Sequence, residues 1–403
     1  MTKENQYFTK PTYAIMVAIG IAHLFNDAIQ AVVPAMFPIL EKSHGISYTK
    51  LGFIAFTLNM VSALLQPVVG YMSDKKPRPF ALPLAMILSA FGMAGLAFAS
   101  SYELIIASVA LLGLGSAVFH PEGSKVSFLS AGSKRGLAQS IYQVGGNTGQ
   151  ALAPLISAFV LVRLGQKGAA IFVLVAFAAV LLLTRVSFWY REQLEKERTS
   201  KRKKVLISTL GHLTKKKIGI ALGLLMIIIF ARSFYVTSMS SFYVFHLIQN
   251  YDYTIEKGQL YIFLFLAFGA IGTFFGGPIA DRIGTKNVII LSLLVPLPFA
   301  LGLPFISASW IGVFLAIIGF FIMLSFSVTV VYAQELIPSK IGTMAGLTVG
   351  LAFGMGAVGA VFIGNLMDRI GVMDTMIVAS YLPLLGLVGL FLPKDGQLEE
   401  TRL

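Results

Sequence analysis

The sequence predicts an all-α membrane protein with twelve transmembrane helices in two pseudo-symmetric six-helix bundles. Hydrophobic residues make up 56% of the 403 and charged residues only 12%, roughly half the charged share of a soluble domain. Apolar runs of about 20 residues recur along the whole chain, each long enough to cross a bilayer. The segment Gly70-Tyr71-Met72-Ser73-Asp74-Lys75-Lys76-Pro77-Arg78 has a near-copy 207 residues later, Gly277-Pro278-Ile279-Ala280-Asp281-Arg282-Ile283-Gly284-Thr285-Lys286. A charged turn that recurs at half the chain length, each time after a span, marks a duplicated transporter. Such repeats place the working site between the halves.

Composition excludes several classes. A β-barrel would show short alternating segments, and none are present. There is no cysteine, so disulfides, thiolate metal sites and thiol catalysis are ruled out. The five histidines are scattered without the paired spacing of a metal site, so no metal and no cofactor is expected. The net charge of +13 lies between the spans and follows membrane topology, not nucleic-acid binding. The first ten residues are polar, and no small-residue cleavage site follows the first apolar run. That run is expected to be a retained span, not a signal peptide.

The spans are predicted at roughly 13–40, 48–73, 79–99, 103–128, 136–162, 168–190, 217–248, 256–280, 286–306, 309–335, 341–367 and 373–392. The N-terminus, the even-numbered connections and the C-terminus carry 23 Lys and Arg, the odd-numbered connections six, and Arg185 and Arg232 lie within spans. The positive-inside rule then puts both termini in the cytoplasm of a multi-pass plasma-membrane protein. The domains follow: a first bundle at 1–190, a basic cytoplasmic linker at 191–216 and a second bundle at 217–403. The linker reads as a topology-fixing segment, with lipid binding the other reading. The duplication also shows before the fifth and eleventh helices, where Ser133-Lys134-Arg135-Gly136 is echoed by Ser339-Lys340-Ile341-Gly342. Both following helices are rich in glycine, which lets helix backbones approach closely.

The repeated turn resembles the loop signature of the major facilitator superfamily, G-x-L-x-D-R-x-G-R-K. The second copy matches at Gly277, Ile279, Ala280, Asp281, Arg282, Gly284 and Lys286. The first keeps Gly70, Asp74 and Arg78, carries Lys75 for the arginine and has Pro77 where glycine is usual. Within the superfamily three stretches resemble the fosmidomycin-resistance group of exporters. They are His23-Leu24-Phe25-Asn26-Asp27 with Pro34 and Pro38, then Phe119-His120-Pro121-Glu122-Gly123, then Gln143-Val144-Gly145-Gly146-Asn147-Thr148-Gly149. The resemblance implies a secondary active transporter that exports a small compound, anionic antibiotics among the candidates. It also implies that the charged turns latch the halves and help set the outward-facing state. The fourth-helix arginine of many superfamily antiporters is not evident, since Ser108-Val109-Ala110-Leu111-Leu112 occupies that stretch.

The residues themselves nominate a site. Asp27 lies about 14 residues into the first helix, roughly 21 Å along its axis. A carboxylate at that depth costs on the order of a few kcal/mol unless it faces a cavity, pairs or takes up a proton. Such a group suits a proton carrier. His23, Asn26, Asp27 and Gln30 fall within about 100° of one another around the helix, a polar stripe that either faces a cavity or locks the helix to its neighbours. Arg232 is the matching oddity in the seventh helix, 205 residues after Asp27. The two are expected to occupy nearly equivalent places and to face each other. Its planar fork suits carboxylate and phosphate, so it either binds an anionic substrate group or pairs with Asp27. Gln139, Gln143, Asn147 and Gln150 form an amide face on the fifth helix, and Tyr142 and Tyr235 lie near the polar stripes. His120 and Glu122 flank Pro121, which is expected to kink or end the fourth helix. They read as a proton relay or inner gate, or as groups capping a broken helix end. Gln334-Glu335 invites the same two readings.

The expected protein is thus a proton-coupled transporter, monomeric, whose partners are a small-molecule substrate, protons and the lipid bilayer. No phosphate-binding loop is present to supply ATP energy. An importer of a phosphorylated or carboxylated metabolite would use the same residues. A membrane enzyme would need a nucleophile, base and oxyanion constellation, which the sequence lacks, and a receptor would need a signalling domain.

Overall fold

The computed structural model describes residues 11–132, 135–199, 214–337 and 341–393. The basic stretch 200–213, Ser133-Lys134, Ser339-Lys340 and the Asp74 side chain lie outside the described residues. Eleven helical segments among those described are long and apolar enough to cross a membrane. One of them, Leu137–Lys196, is 60 residues long, about three times what one crossing needs. It turns at Gly165, where φ is +62°. That segment holds two spans, so the chain crosses twelve times.

The first six spans are α1 (Tyr13–Ala35), α2 (Tyr48–Lys75), α3 (Ala81–Phe98), α4 (Tyr102–Ser130), α5 (Arg135–Ile156) and α6 (Ile171–Thr199). The last six are α7 (Lys215–Thr237), α8 (Ile255–Ile283), α9 (Thr285–Leu294), α10 (Ile311–Leu324), α11 (Ile341–Ile370) and α12 (Val372–Ser380). Several spans continue past a local irregularity. After Pro34, which lacks an N–H, α1 resumes as Phe37–His44 and ends at left-handed Gly45. The seventh span passes through a π-helical turn, Ser238–Phe242, and runs on as Tyr243–Tyr251. The tenth breaks at Ser325 and resumes as Phe326–Leu336. Side chains cap the exposed N–H groups where a span begins, as Ser101 does for Leu104 and Thr254 for Lys257.

The chain divides into two compact units. The first holds residues 1–45 and 57–203, the second 46–56 and 204–403. The division therefore differs from a single cut in the linker, because the first turns of α2 group with the second unit. In unit one, α1 lies along α5 and α6, and α3 along α4 and α6. In unit two, α7 lies along α11 and along Leu382–Phe391, the 3-10 continuation of the twelfth span, and α9 lies along that continuation. The partnerships 1–5, 1–6 and 3–6 thus recur as 7–11, 7–12 and 9–12, as a duplication requires.

Three expectations are corrected by this architecture. Pro121 does not end the fourth helix, which continues to Ser130, so His120 and Glu122 do not cap a broken end. Glycine-mediated contact does hold α5 to α1, where a Cβ on Gly145 or Gly149 would run into the carbonyls of Gly20 and Leu24. In α11 a Cβ on Gly359 would lie 3.2 Å from the Phe234 ring of α7, whereas one on Gly350 or Gly354 would meet nothing within 4 Å among the described residues. Finally, α6 stays helical to Thr199, into the stretch expected to be linker, with Lys196 bonded to Glu192 one turn earlier at 2.6 Å.

Candidate functional site

Unit one contains a buried ionisable cluster centred on Asp27. His23, Asn26 and Asp27 of α1 are each at most 5% exposed. The Nε2 atoms of His23, one turn earlier, and of His120, on α4, both lie 3.4 Å from Asp27 Oδ1. Asn26 Nδ2 donates to the same oxygen at 3.0 Å, and Gln150 of α5 donates to Oδ2 at 2.9 Å. Among the described residues Gln30 bonds only to the Asn26 carbonyl of its own helix, at 3.4 Å.

The outer nitrogen fixes the tautomer of His23 and leaves that of His120 to its two neighbours. His23 Nδ1 is 2.7 Å from the Tyr142 carbonyl, and His120 Nδ1 is 3.0 Å from the Ser116 carbonyl. A carbonyl only accepts, so His23 Nδ1 carries hydrogen, while His120 Nδ1 also lies 3.1 Å from the Ser116 hydroxyl, which can donate to it. When the His23 ring is neutral, its Nε2 lone pair faces the carboxylate oxygen with no hydrogen of its own between them. One added proton makes the cluster neutral and supplies a donor; a second makes it cationic. The cluster thus sets two titratable rings against one oxygen of a buried carboxylate.

Packing holds the cluster in shape. Tyr142 stacks on the His23 ring at 4.0 Å between centroids and donates its hydroxyl to the His120 carbonyl at 3.4 Å. A hydroxyl chain reaches His120 from α2, with Gln66 donating to Ser62 at 2.9 Å and Ser62 to Ser116 at 2.9 Å. Gly146 leaves the space that the cluster fills, since a Cβ there would lie 2.6 Å from the His23 ring and 3.0 Å from Asp27 Oδ2. Gly146→Ala is expected to cost about 1–3 kcal/mol of stability through overpacking and to impair proton-driven flux; thermal melting beside a flux assay checks both.

His23 and His120 are far apart in sequence yet meet here, so the expectation of scattered histidines without metal-like grouping needs correcting. With Asp27 they place three potential ligand atoms within 4.8 Å of one another. Glu122 points elsewhere. It is 1% exposed, and its Oε2 has no hydrogen-bond partner among the described residues. Gln143 and Asn147 are half-buried, while Gln139 is exposed. Gln150 is thus the amide of that face that reaches the carboxylate.

Unit two contains the second buried charge. Arg232, 3% exposed, sits on α7. Its Nη1 donates to Ser325 at 3.2 Å and to Thr329 at 3.3 Å, and the Phe326 ring lies 5.2 Å from its guanidinium carbon. Ser325 also accepts from Ser292 of α9 at 2.8 Å. The break in the tenth span at Ser325 is what presents these hydroxyls. Among the described residues, this unit gives Arg232 hydroxyls and an aromatic face but no carboxylate. A guanidinium buried without a counter-ion is costly, and two hydroxyls and a ring are what this unit sets against that cost. Tyr235, one turn on, is also buried, and its hydroxyl has no partner among the described residues.

The charged turns are placed at helix ends. Gly70 and Lys75 lie in the last turns of α2, and Arg78 is exposed beyond it. Lys125 of α4 donates to Ser73 of this turn at 2.7 Å, a tie that spacing did not reveal. In the second copy Asp281 and Arg282 are exposed in the last turn of α8, and Gly284 ends the helix at φ +92°. Gly277 has no neighbour within 4 Å, and Lys286 donates to the carbonyls of Leu390 and Leu392 at 2.8 and 2.6 Å.

A twelve-span, internally duplicated helical protein with buried charges in each unit is a membrane transporter. The sequence pattern of the Major Facilitator Superfamily matches residues 19–350, and the chain belongs to that family. It is 54% identical over 390 residues to the MFS-type transporter YfnC of Bacillus subtilis (strain 168), covering 96% of this chain and 95% of that one. It is 42% identical over 386 residues to the Fosmidomycin resistance protein of Escherichia coli (strain K12), covering 96% and 94%. Among solved structures, the nucleoside transporter NupG matches with a TM-score of 0.73 at 11% identity, over 93% of this chain and 98% of that one. That last likeness concerns fold alone. Family and relatives make the chain a transporter and not an enzyme.

Proposed function

We propose that this protein is a proton-coupled exporter of a small anionic compound, working by alternating access in the plasma membrane as a monomer with both termini cytoplasmic. The observation that carries the coupling is the convergence of His23 and His120 Nε2 on Asp27 Oδ1 inside a buried cluster. Asp27 is the proton carrier, with His23 and His120 as the groups that share its proton. Glu122, buried with an unmet oxygen, is a second stop for the proton. The lone Arg232 supports an anionic substrate, held with help from Tyr235. Asn26 and Gln30 on α1 and Gln143 and Asn147 on α5 orient the neutral part of the substrate. The turns Gly70, Asp74, Arg78 and Gly277, Asp281, Arg282, Gly284, Lys286 act as latches at the cytoplasmic face.

The relative named for fosmidomycin resistance makes fosmidomycin, a phosphonate, the first substrate to test. The importer reading uses the same Arg232 pocket and differs in direction. Purified protein in proteoliposomes with an imposed pH gradient separates them. Efflux against the proton flow is expected; accumulation with the proton flow favours import, and flux indifferent to the gradient removes the coupling.

A further inference from the structure

The sequence Gly364-Asn365-Leu366-Met367-Asp368-Arg369-Ile370-Gly371 repeats the spacing of Gly277-Pro278-Ile279-Ala280-Asp281-Arg282-Ile283-Gly284. Both end a helix, α11 and α8, and both close on a glycine in the left-handed region, φ +86° and +92°. This is a third copy of the charged turn. It lies three spans after the second, so it faces the opposite side of the membrane.

Asp368 has a specific task. Its Oδ1 accepts the Tyr48 N–H at 3.0 Å and its Oδ2 accepts the Thr49 N–H at 2.8 Å. These are the first amides of α2, which the helix itself cannot satisfy, and a carboxylate there is favoured by the helix dipole. The surrounding contact is close. A Cβ on Gly364 would strike the Tyr48 carbonyl, and one on Gly52 the Ala360 carbonyl. The Tyr48 hydroxyl accepts from Gln249 at 2.7 Å, and its ring meets Phe245 edge-on at 4.9 Å. Residues 46–56 accordingly belong to unit two, although α2 from Thr57 onward belongs to unit one.

We propose that Asp368 is a state-determining residue of transport: it caps α2 in one conformation and releases it in the other. The third turn is thereby an outer counterpart of the two cytoplasmic ones. The inference rests on the alternating-access reading. A helix whose start belongs to one unit and whose remainder belongs to the other must either bend at the junction or change its grip if the units move. A carboxylate bonded to two backbone amides is a grip that can break without unfolding either helix.

The absence of cysteine makes the test clean. Ala360→Cys introduces a single thiol at a fully buried position beside Gly52, and its maleimide labelling rate in nanodiscs reports separation. Asp368→Asn is expected to raise that rate about tenfold, the scale of one helix cap. Glu192→Gln, which removes an exposed pair with Lys196 on α6, should leave it unchanged. An unchanged rate in a well-folded Asp368→Asn protein overturns the proposal. Adding fosmidomycin to the Ala360→Cys parent tests alternating access separately. A rate that moves with fosmidomycin but not with Asp368→Asn removes the cap and keeps the two states; a rate that moves with neither removes both. If Asp368→Asn does not fold, Tyr48→Cys with Gln249→Cys, bridged by a short bis-maleimide, takes its place. That bridge is expected to arrest flux, and full flux with the bridge in place overturns the proposal.

Discussion

Asp27→Asn is expected to fold, insert and bind substrate, yet lose pH-driven flux by about 100-fold, the scale on which a positioned proton-transfer group acts. The amide keeps the size of the carboxylate, and its single oxygen can take the Oδ2 place and still accept from Gln150, though not also from Asn26, so the packing of α1 against α5 survives. What disappears is the charge that lets His23 and His120 hold a proton between Nε2 and Oδ1. Without it, nothing in the cluster rewards the added proton. Substrate exchange in the absence of a gradient should persist, because it needs movement but no net proton transfer. The measurement is counterflow beside gradient-driven flux in proteoliposomes. A variant that keeps full gradient-driven flux would place the coupling elsewhere, with Glu122 the next residue to test. His120→Asn should act in the same direction and more weakly, because His23 still shares the carboxylate.

Much of the fold was legible in the sequence, because twelve apolar runs and a repeated charged turn leave few alternatives in a bilayer. The site was legible as far as single residues go. Asp27 and Arg232 stand out because a charge deep in an apolar span needs a reason. Their partners were not legible. His120 and Gln150 reach Asp27 from 93 and 123 residues away, and spacing on one helix reports only neighbours on that helix. Proline at 121 pointed the wrong way, since a helix can absorb a proline when packing holds it, and α4 does so here. Ser325 and Thr329 were unremarked because hydroxyls in apolar helices usually bond back to their own carbonyls. Asp368 was missed for a different reason. The duplication was sought at half the chain length, and the third copy of the turn lies 87 residues after the second.

Arg232→Lys is expected to weaken anionic substrates about tenfold while leaving neutral ones little changed. The guanidinium occupies Ser325 and Thr329 through Nη1 alone, and a planar fork with a second amine free of those hydroxyls can meet a phosphonate or carboxylate with two parallel bonds. Lysine keeps the charge but brings a point donor, and it cannot serve the two hydroxyls and an anion in the same geometry. Arg232→Gln should go further, removing selectivity for anions, because an amide has no charge to be completed. Its fold should hold better than that of most variants that delete a buried charge. Where a buried ion has a partner, removing it strands the partner, but here the neighbours are hydroxyls and an aromatic ring. Competition binding with fosmidomycin and with a neutral analogue of matched size distinguishes the cases. Equal weakening of both compounds would make Arg232 a brace between α7 and the tenth span, and the anionic-substrate reading would fall with it.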